Sequence, residues 1–142
     1  MPLAPLLADA AASDRARAVF DDIRRTRGSD YVNNIWRALA NDPAQLEMTW
    51  AQVKQVMAPG ALDPLTKELI YIAVSAVNNC AYCLHTHTHA ARAKGMTDAM
   101  HAELLQVIAL ASQTNRLAIA LQVPTDDRYR APPACAPVRS RD

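Results

Sequence analysis

Apolar positions recur at helical spacing along most of the chain, and polar caps mark where each run begins. Ser13 stands where it can cap a first helix that runs to about Arg27. A short helix is predicted around 32–40. Asp42-Pro43 pairs an N-cap residue with proline at the first helical position and opens a helix to about Met57. Asp63-Pro64 repeats that signature and opens a fourth. Its residues Leu65, Leu69, Ile70, Ile72, Val74 and Val77 are apolar almost all round, which places it at the centre of a bundle. Its β-branched residues also suit a buried strand, but the Pro64 start, the length and the interleaved alanines favour helix. Asn78-Asn79 ends it. Asn79 is read as the N-cap of a fifth helix from about Cys80 to Lys94. Thr97 caps a sixth, with Met100, Leu104, Leu105, Ile108 and Ala111 on one face, and a final helix is expected over about 114–122. The prediction is an all-α bundle of about six to seven helices with the CxxC helix at its centre.

Prolines and glycines agree with that reading. None of the nine prolines lies between positions 65 and 123. Gly28, Gly60 and Gly95 each follow a helix-like stretch, where a left-handed glycine closes the last turn cheaply. No glycine-rich phosphate loop exists. The segment 1–123 is read as one helical domain, and 124–142 as a proline-rich arm or tail that carries Cys135 as a free thiol.

Composition narrows the function classes. The chain has 142 residues, a mass of 15.5 kDa and a formal net charge of +1. So balanced a charge offers no bulk field to draw in nucleic acid or an anionic membrane. Aromatic content is 5%, with Phe20 the sole Phe, which argues against a stacking platform for single strands. No apolar run approaches the ~20 residues that cross a bilayer. The start lacks a basic n-region and carries Pro2, Pro5 and Asp9, so it does not read as a secretory signal. A cytoplasmic chain is expected.

The chemistry concentrates in Asn79-Cys80-Ala81-Tyr82-Cys83-Leu84-His85-Thr86-His87. With cysteine this sparse, a reducing compartment is expected, and CxxC there signifies redox chemistry or metal binding rather than a staple. At a helix start, amide donors and the dipole stabilise a thiolate. Cys80, Cys83 and His87 fall on one helical stripe, two thiols and a base. Glu68 lies twelve residues before Cys80 in an otherwise apolar helix. If the chain reverses at Asn78-Asn79, Glu68 comes level with positions 87–90. A buried carboxylate needs a partner, and His87 is the candidate; such a pair fixes the imidazole tautomer and raises its basicity. Zinc is the rival use of these residues, but Cys80, Cys83 and His87 supply three ligands and need His85 or His89 as a fourth. His85 and His89 point well away from the stripe and are read as a solvated or interface face, His101 as a surface residue, and Trp36 and Trp50 as packing residues. Tyr82 is read as packing, with its hydroxyl a candidate for touching substrate.

Glu68-x11-Cys80-x2-Cys83-x3-His87, followed by Gly95, resembles the alkylhydroperoxidase D-like core motif of the carboxymuconolactone decarboxylase superfamily. The resemblance covers about 46–122, and Asn115-Arg116-Leu117 is similar to the family's last helix. It implies an all-helical fold, usually a trimer or a hexamer built from dimers. It implies a cofactor-free, antioxidant thiol peroxidase in which Cys83 becomes the sulfenic acid, Cys80 is the resolving thiol, and Glu68 and His87 relay protons. The implied partners are a hydroperoxide and an external dithiol or protein reductant. Tyr82 stands where the best-studied members have His. The alternatives are a non-enzymatic, redox-sensing helical oligomer and a lactone decarboxylase of the same superfamily; decarboxylation there does not use the CxxC pair.

Overall fold

A computed structural model describes residues 3–130, and over that span the chain is helical, with no strand. Six α-helices follow in order: α1 (Asp14–Arg27), α2 (Asn34–Leu39), α3 (Pro43–Met57), α4 (Pro64–Val77), α5 (Ala81–Ala93) and α6 (Asp98–Ala120). Short 3₁₀ turns lie at Asp9–Ala11 and Asp127–Tyr129. No helix among the described residues is long and apolar enough to cross a membrane. Cys135 and most of the expected arm lie outside the described residues.

Four of the five predicted caps are in place. Ser13 accepts from the Ala16 N–H, Asp42 from Ala44 and Gln45, Asp63 from Thr66, and Thr97 from Met100. Each satisfies an amide that the helix cannot, an effect of ~1 kcal/mol.

The chain divides into two compact units, Met1–Lys67 and Glu68–Asp142. In the first, Ala16, Val19, Phe20 and Ile23 of α1 join Val32, Trp36, Leu46 and Trp50 in one buried cluster. The two indoles meet edge to face at 5.3 Å, and Trp50 donates its N–H to Asp22 at 2.7 Å. Arg24 and Arg37 both bind Asp9, at 2.6 and 3.2 Å, and anchor the N-terminal stretch. Trp36 and Trp50 are therefore core residues, as expected.

Four readings are corrected, three of them in the second unit. First, α6 is one helix of 23 residues, where two were expected. Neither Gly nor Pro interrupts it, and the Thr114 hydroxyl bonds back to the Leu110 and Ala111 carbonyls instead of capping a new start. Second, Asn79 is not an N-cap. It takes a left-handed φ of 55°, and the Cys80 N–H bonds the Ser75 carbonyl while the Asn79 N–H bonds that of Ala76. That pair of bonds is a Schellman motif closing α4, made possible because Asn tolerates this conformation. Gly95 and Gln122 close α5 and α6 in the same way. Third, α4 is not enclosed: only the stripe Glu68, Ile72, Ser75 is buried, while Ile70, Val74 and Val77 are exposed. Few helices are at hand to cover it. The fourth correction falls in the first unit, at Gly60. It has no left-handed backbone, because Ala58 turns extended ahead of Pro59 and ends α3 without it.

Candidate active site

Schellman closure at Asn79 lets the chain reverse in three residues between α4 and α5. Glu68, in the second turn of α4, thereby reaches His87, midway along α5. The two meet at 2.6 Å, Glu68 Oε2 to His87 Nδ1. The other carboxylate oxygen accepts from Lys94 Nζ at 3.0 Å. Glu68 is only 5% exposed. Burial opposes its ionisation, but the hydrogen bonds from His87 and Lys94, with the Lys94 charge and then that of His87, win and hold its carboxyl below the ordinary value. An ionised Glu68 can only accept, so Nδ1 of His87 carries the hydrogen. In the neutral imidazole Nε2 then keeps its lone pair, from which a proton can be taken or returned.

Tyr71, one turn on from Glu68, stacks on the imidazole with ring centroids 3.6 Å apart and planes 17° from parallel. Its hydroxyl is held protonated by burial and by the negative charges of Cys83, Cys80 and Glu68. The Tyr71 hydroxyl thus lies within electrostatic reach of both thiols and the carboxylate. Neither Tyr71 nor Lys94 was singled out from the sequence. The available signal was spacing: Tyr71 follows Glu68 by three residues and Lys94 follows His87 by seven, each on the face of its helix that carries the other.

Cys80 is itself the N-cap of α5. Its sulfur accepts from the Cys83 N–H at 3.3 Å. The hydrogen bond from the Cys83 thiol, together with that amide, lowers the Cys80 thiol below its ordinary value. Cys83, inside the first turn, is pushed up to about 11 by burial, by its hydrogen bond to Cys80 and by the Cys80 charge. The pair therefore gives up one proton readily, from Cys80, and holds the second.

Both cysteines are half-buried free thiols. Tyr82 is exposed in the first turn of α5, and His85 and His89 are exposed along the same helix. His101 is half-buried in α6, not fully at the surface. No group of three His, Cys, Asp or Glu side chains among the described residues is placed to hold a metal ion. The arrangement can form a thiolate, pass a proton and make a disulfide within one helical turn.

Residues 43–126 match the sequence model of the Carboxymuconolactone decarboxylase family. Over 98 residues the chain is 35% identical to "Alkyl hydroperoxide reductase AhpD" of Solibacter usitatus, an alignment covering 67% of this chain and 54% of that protein. The match thus spans about half of that relative's length. "Uncharacterized protein 4 in cox locus" of Paracoccus denitrificans is 37% identical over 89 residues, 62% of this chain and 77% of that one. The crystal structure of the alkylhydroperoxidase AhpD core from Rhodospirillum rubrum is 60% identical and superposes with a TM-score of 0.89, over 93% of this chain and 99% of that one.

Proposed function

The chain belongs to the carboxymuconolactone decarboxylase family and has the AhpD-like fold, and from there we propose that it is a thiol-dependent peroxidase acting through Cys80, Cys83, His87 and Glu68. The observation that carries this reading is the buried, ionised Glu68 on His87, on the same helix whose N-terminus presents two thiols of opposite acidity.

The steps follow from that difference. Cys80 is the first of the two to become a thiolate, and Cys83 then still carries its proton. The Cys83 proton passes to Cys80, with which it already shares a hydrogen bond. The Cys83 thiolate, the more basic and so the stronger nucleophile, attacks the terminal peroxide oxygen. The O–O bond breaks, Cys83 becomes a sulfenic acid, and the alkoxide leaves as alcohol with the proton from Cys80. The Cys80 thiolate then attacks the Cys83 sulfur. Hydroxide departs as water, taking a proton relayed from solvent by His87 Nε2, and the Cys80–Cys83 disulfide forms. An external dithiol reduces it by exchange and is itself oxidised to a disulfide. No step requires a cofactor.

Peroxide consumption with dihydrolipoamide or reduced thioredoxin tests the reading. Turnover is expected in the parent and absent in Cys83→Ser. Cys80→Ser should accumulate a sulfenic acid at Cys83 that dimedone traps. A dimedone adduct at Cys80 in Cys83→Ser, with none at Cys83 in Cys80→Ser, reverses the two roles. A parent protein that consumes no peroxide with any dithiol rejects the reading. The family match favours a second one, lactone decarboxylation, which would survive loss of both cysteines.

A further inference from the structure

Among the described residues of the second unit Glu68 is the least exposed charged group, yet its lone-pair demand is shared between two donors from one helix. His87 lies in the middle of α5 and Lys94 is its C-cap residue. The carboxylate bridges them, one oxygen to each. We propose that Lys94 is a positioning residue for the proton relay: it keeps Glu68 ionised and turned toward His87, and so fixes which imidazole nitrogen is free. This rests on the peroxidase reading only for the rate it would control; the geometry of the triad stands without it.

The physical argument concerns what each partner could do alone. A neutral imidazole supplies one hydrogen bond and no charge, which leaves half of a buried carboxylate unsatisfied. Lys94 supplies the second bond and the compensating charge. Its side chain is 38% exposed, so Lys94 is not fully withdrawn from water while it reaches the carboxylate. The remaining titratable groups that bear on the pair are Tyr71 on α4 and the thiols of Cys80 and Cys83 at the start of α5. All three are neutral or negative in use, so none replaces the Lys94 charge. Main-chain geometry assists: the Lys94 N–H bonds the Ala90 and Ala91 carbonyls, and Gly95, in a left-handed turn, ends the helix directly behind it. The side chain therefore leaves a well-defined helix end.

Three variants test the assignment: Lys94→Met and Lys94→Gln remove the charge, and Lys94→Arg keeps it. Two readouts are taken on each. One is the Glu68 carboxyl titration, followed by ¹³C NMR with the resonance assigned from Glu68→Gln. The other is the pH profile of kcat/KM for peroxide. In both neutral variants the Glu68 midpoint and the acid limb should move up by about one pH unit, the lower end of what an adjacent opposite charge confers. Lys94→Arg should return both toward the parent position. An unmoved Glu68 midpoint in the neutral variants, or an equal displacement in Lys94→Arg, overturns the proposal. If the parent turns over no peroxide, the peroxidase reading fails while the NMR titration still decides the role of Lys94.

Discussion

At the scale of single residues, the two cysteines differ because one is a cap and the other is not. The Cys80 sulfur meets an amide donor and a thiol donor, whereas Cys83 is more buried and faces the Cys80 charge. Iodoacetamide should therefore modify Cys80 first, with a pH midpoint below that of an ordinary thiol, and Cys83 more slowly, its rate rising toward a midpoint of about 11. Peptide mapping of the alkylated protein checks this, and preferential labelling of Cys83 would refute it. Glu68→Gln keeps the shape but removes the charge that supports His87. We expect a loss of roughly 10²-fold in peroxide turnover with the fold retained, the low end for acid–base catalysis. The parent carries a matching pH signature. Because Glu68 titrates below its ordinary value when folded, its contribution to stability is complete above the unfolded carboxylate's value. It is lost as the pH falls through the lowered, folded value. Urea midpoints measured from pH 7 downward should show that loss in the parent and a smaller one in Glu68→Gln.

At the scale of elements, the reversal from α4 to α5 depends on one backbone conformation. Asn79 holds φ at 55°, and its own amide and that of Cys80 close α4 onto the Ala76 and Ser75 carbonyls. That closure delivers Cys80 to the N-cap of α5. Replacing Asn79 by Ala should cost about 1 kcal/mol, since a side chain that makes no local polar contact is strained there, whereas Asn79→Gly should be close to neutral. Denaturant midpoints of the two variants separate the cases, and an Ala variant as stable as the Gly variant would contradict the motif. The buried stripe of α4 shows the same economy. Glu68, Ile72 and Ser75 are enclosed at positions i, i+4 and i+7, so one apolar residue between two polar ones faces inward. The Ser75 hydroxyl is satisfied by the Tyr71 carbonyl at 2.7 Å.

At the scale of the whole molecule, many large apolar side chains stand exposed, and contiguous patches of that kind mark interaction surfaces. Val107, Leu110 and Ile119 on α6 are exposed, Ile119 at 75%, as are Val74 and Val77 on α4. The second unit also holds an open apolar groove of about 310 Å³, lined by Val74, Val77, Leu104, Val107, Ile108 and Ala111 among others. Each such side chain, once fully buried, contributes about 1.5–3 kcal/mol. We expect further copies of the chain to cover these faces, giving a homo-oligomer of three or more chains, hexamer favoured, with the CxxC helix near a subunit boundary. Sedimentation at micromolar concentration checks it. A 15.5 kDa species throughout that range would reject the assembly.

Helix starts were legible because capping is local chemistry: Ser13, Asp42-Pro43, Asp63-Pro64 and Thr97 each act on amides two or three residues away. The pairing of Glu68 with His87 was legible for a related reason, since a lone carboxylate in an apolar helix demands a partner at a countable distance from a turn. Helix ends were less so. Whether Ser112-Gln113-Thr114 interrupts α6, and whether Asn79 begins one helix or closes another, depends on which backbone groups lack partners after folding, and the same side chains serve both outcomes. The relative acidity of Cys80 and Cys83, the second bond to Glu68 from Lys94 and the ring of Tyr71 on His87 were decided only by tertiary structure. Desolvation and charge proximity act through space, and residue spacing along a chain carries them only where a single helix or a single tight turn converts sequence distance into real distance.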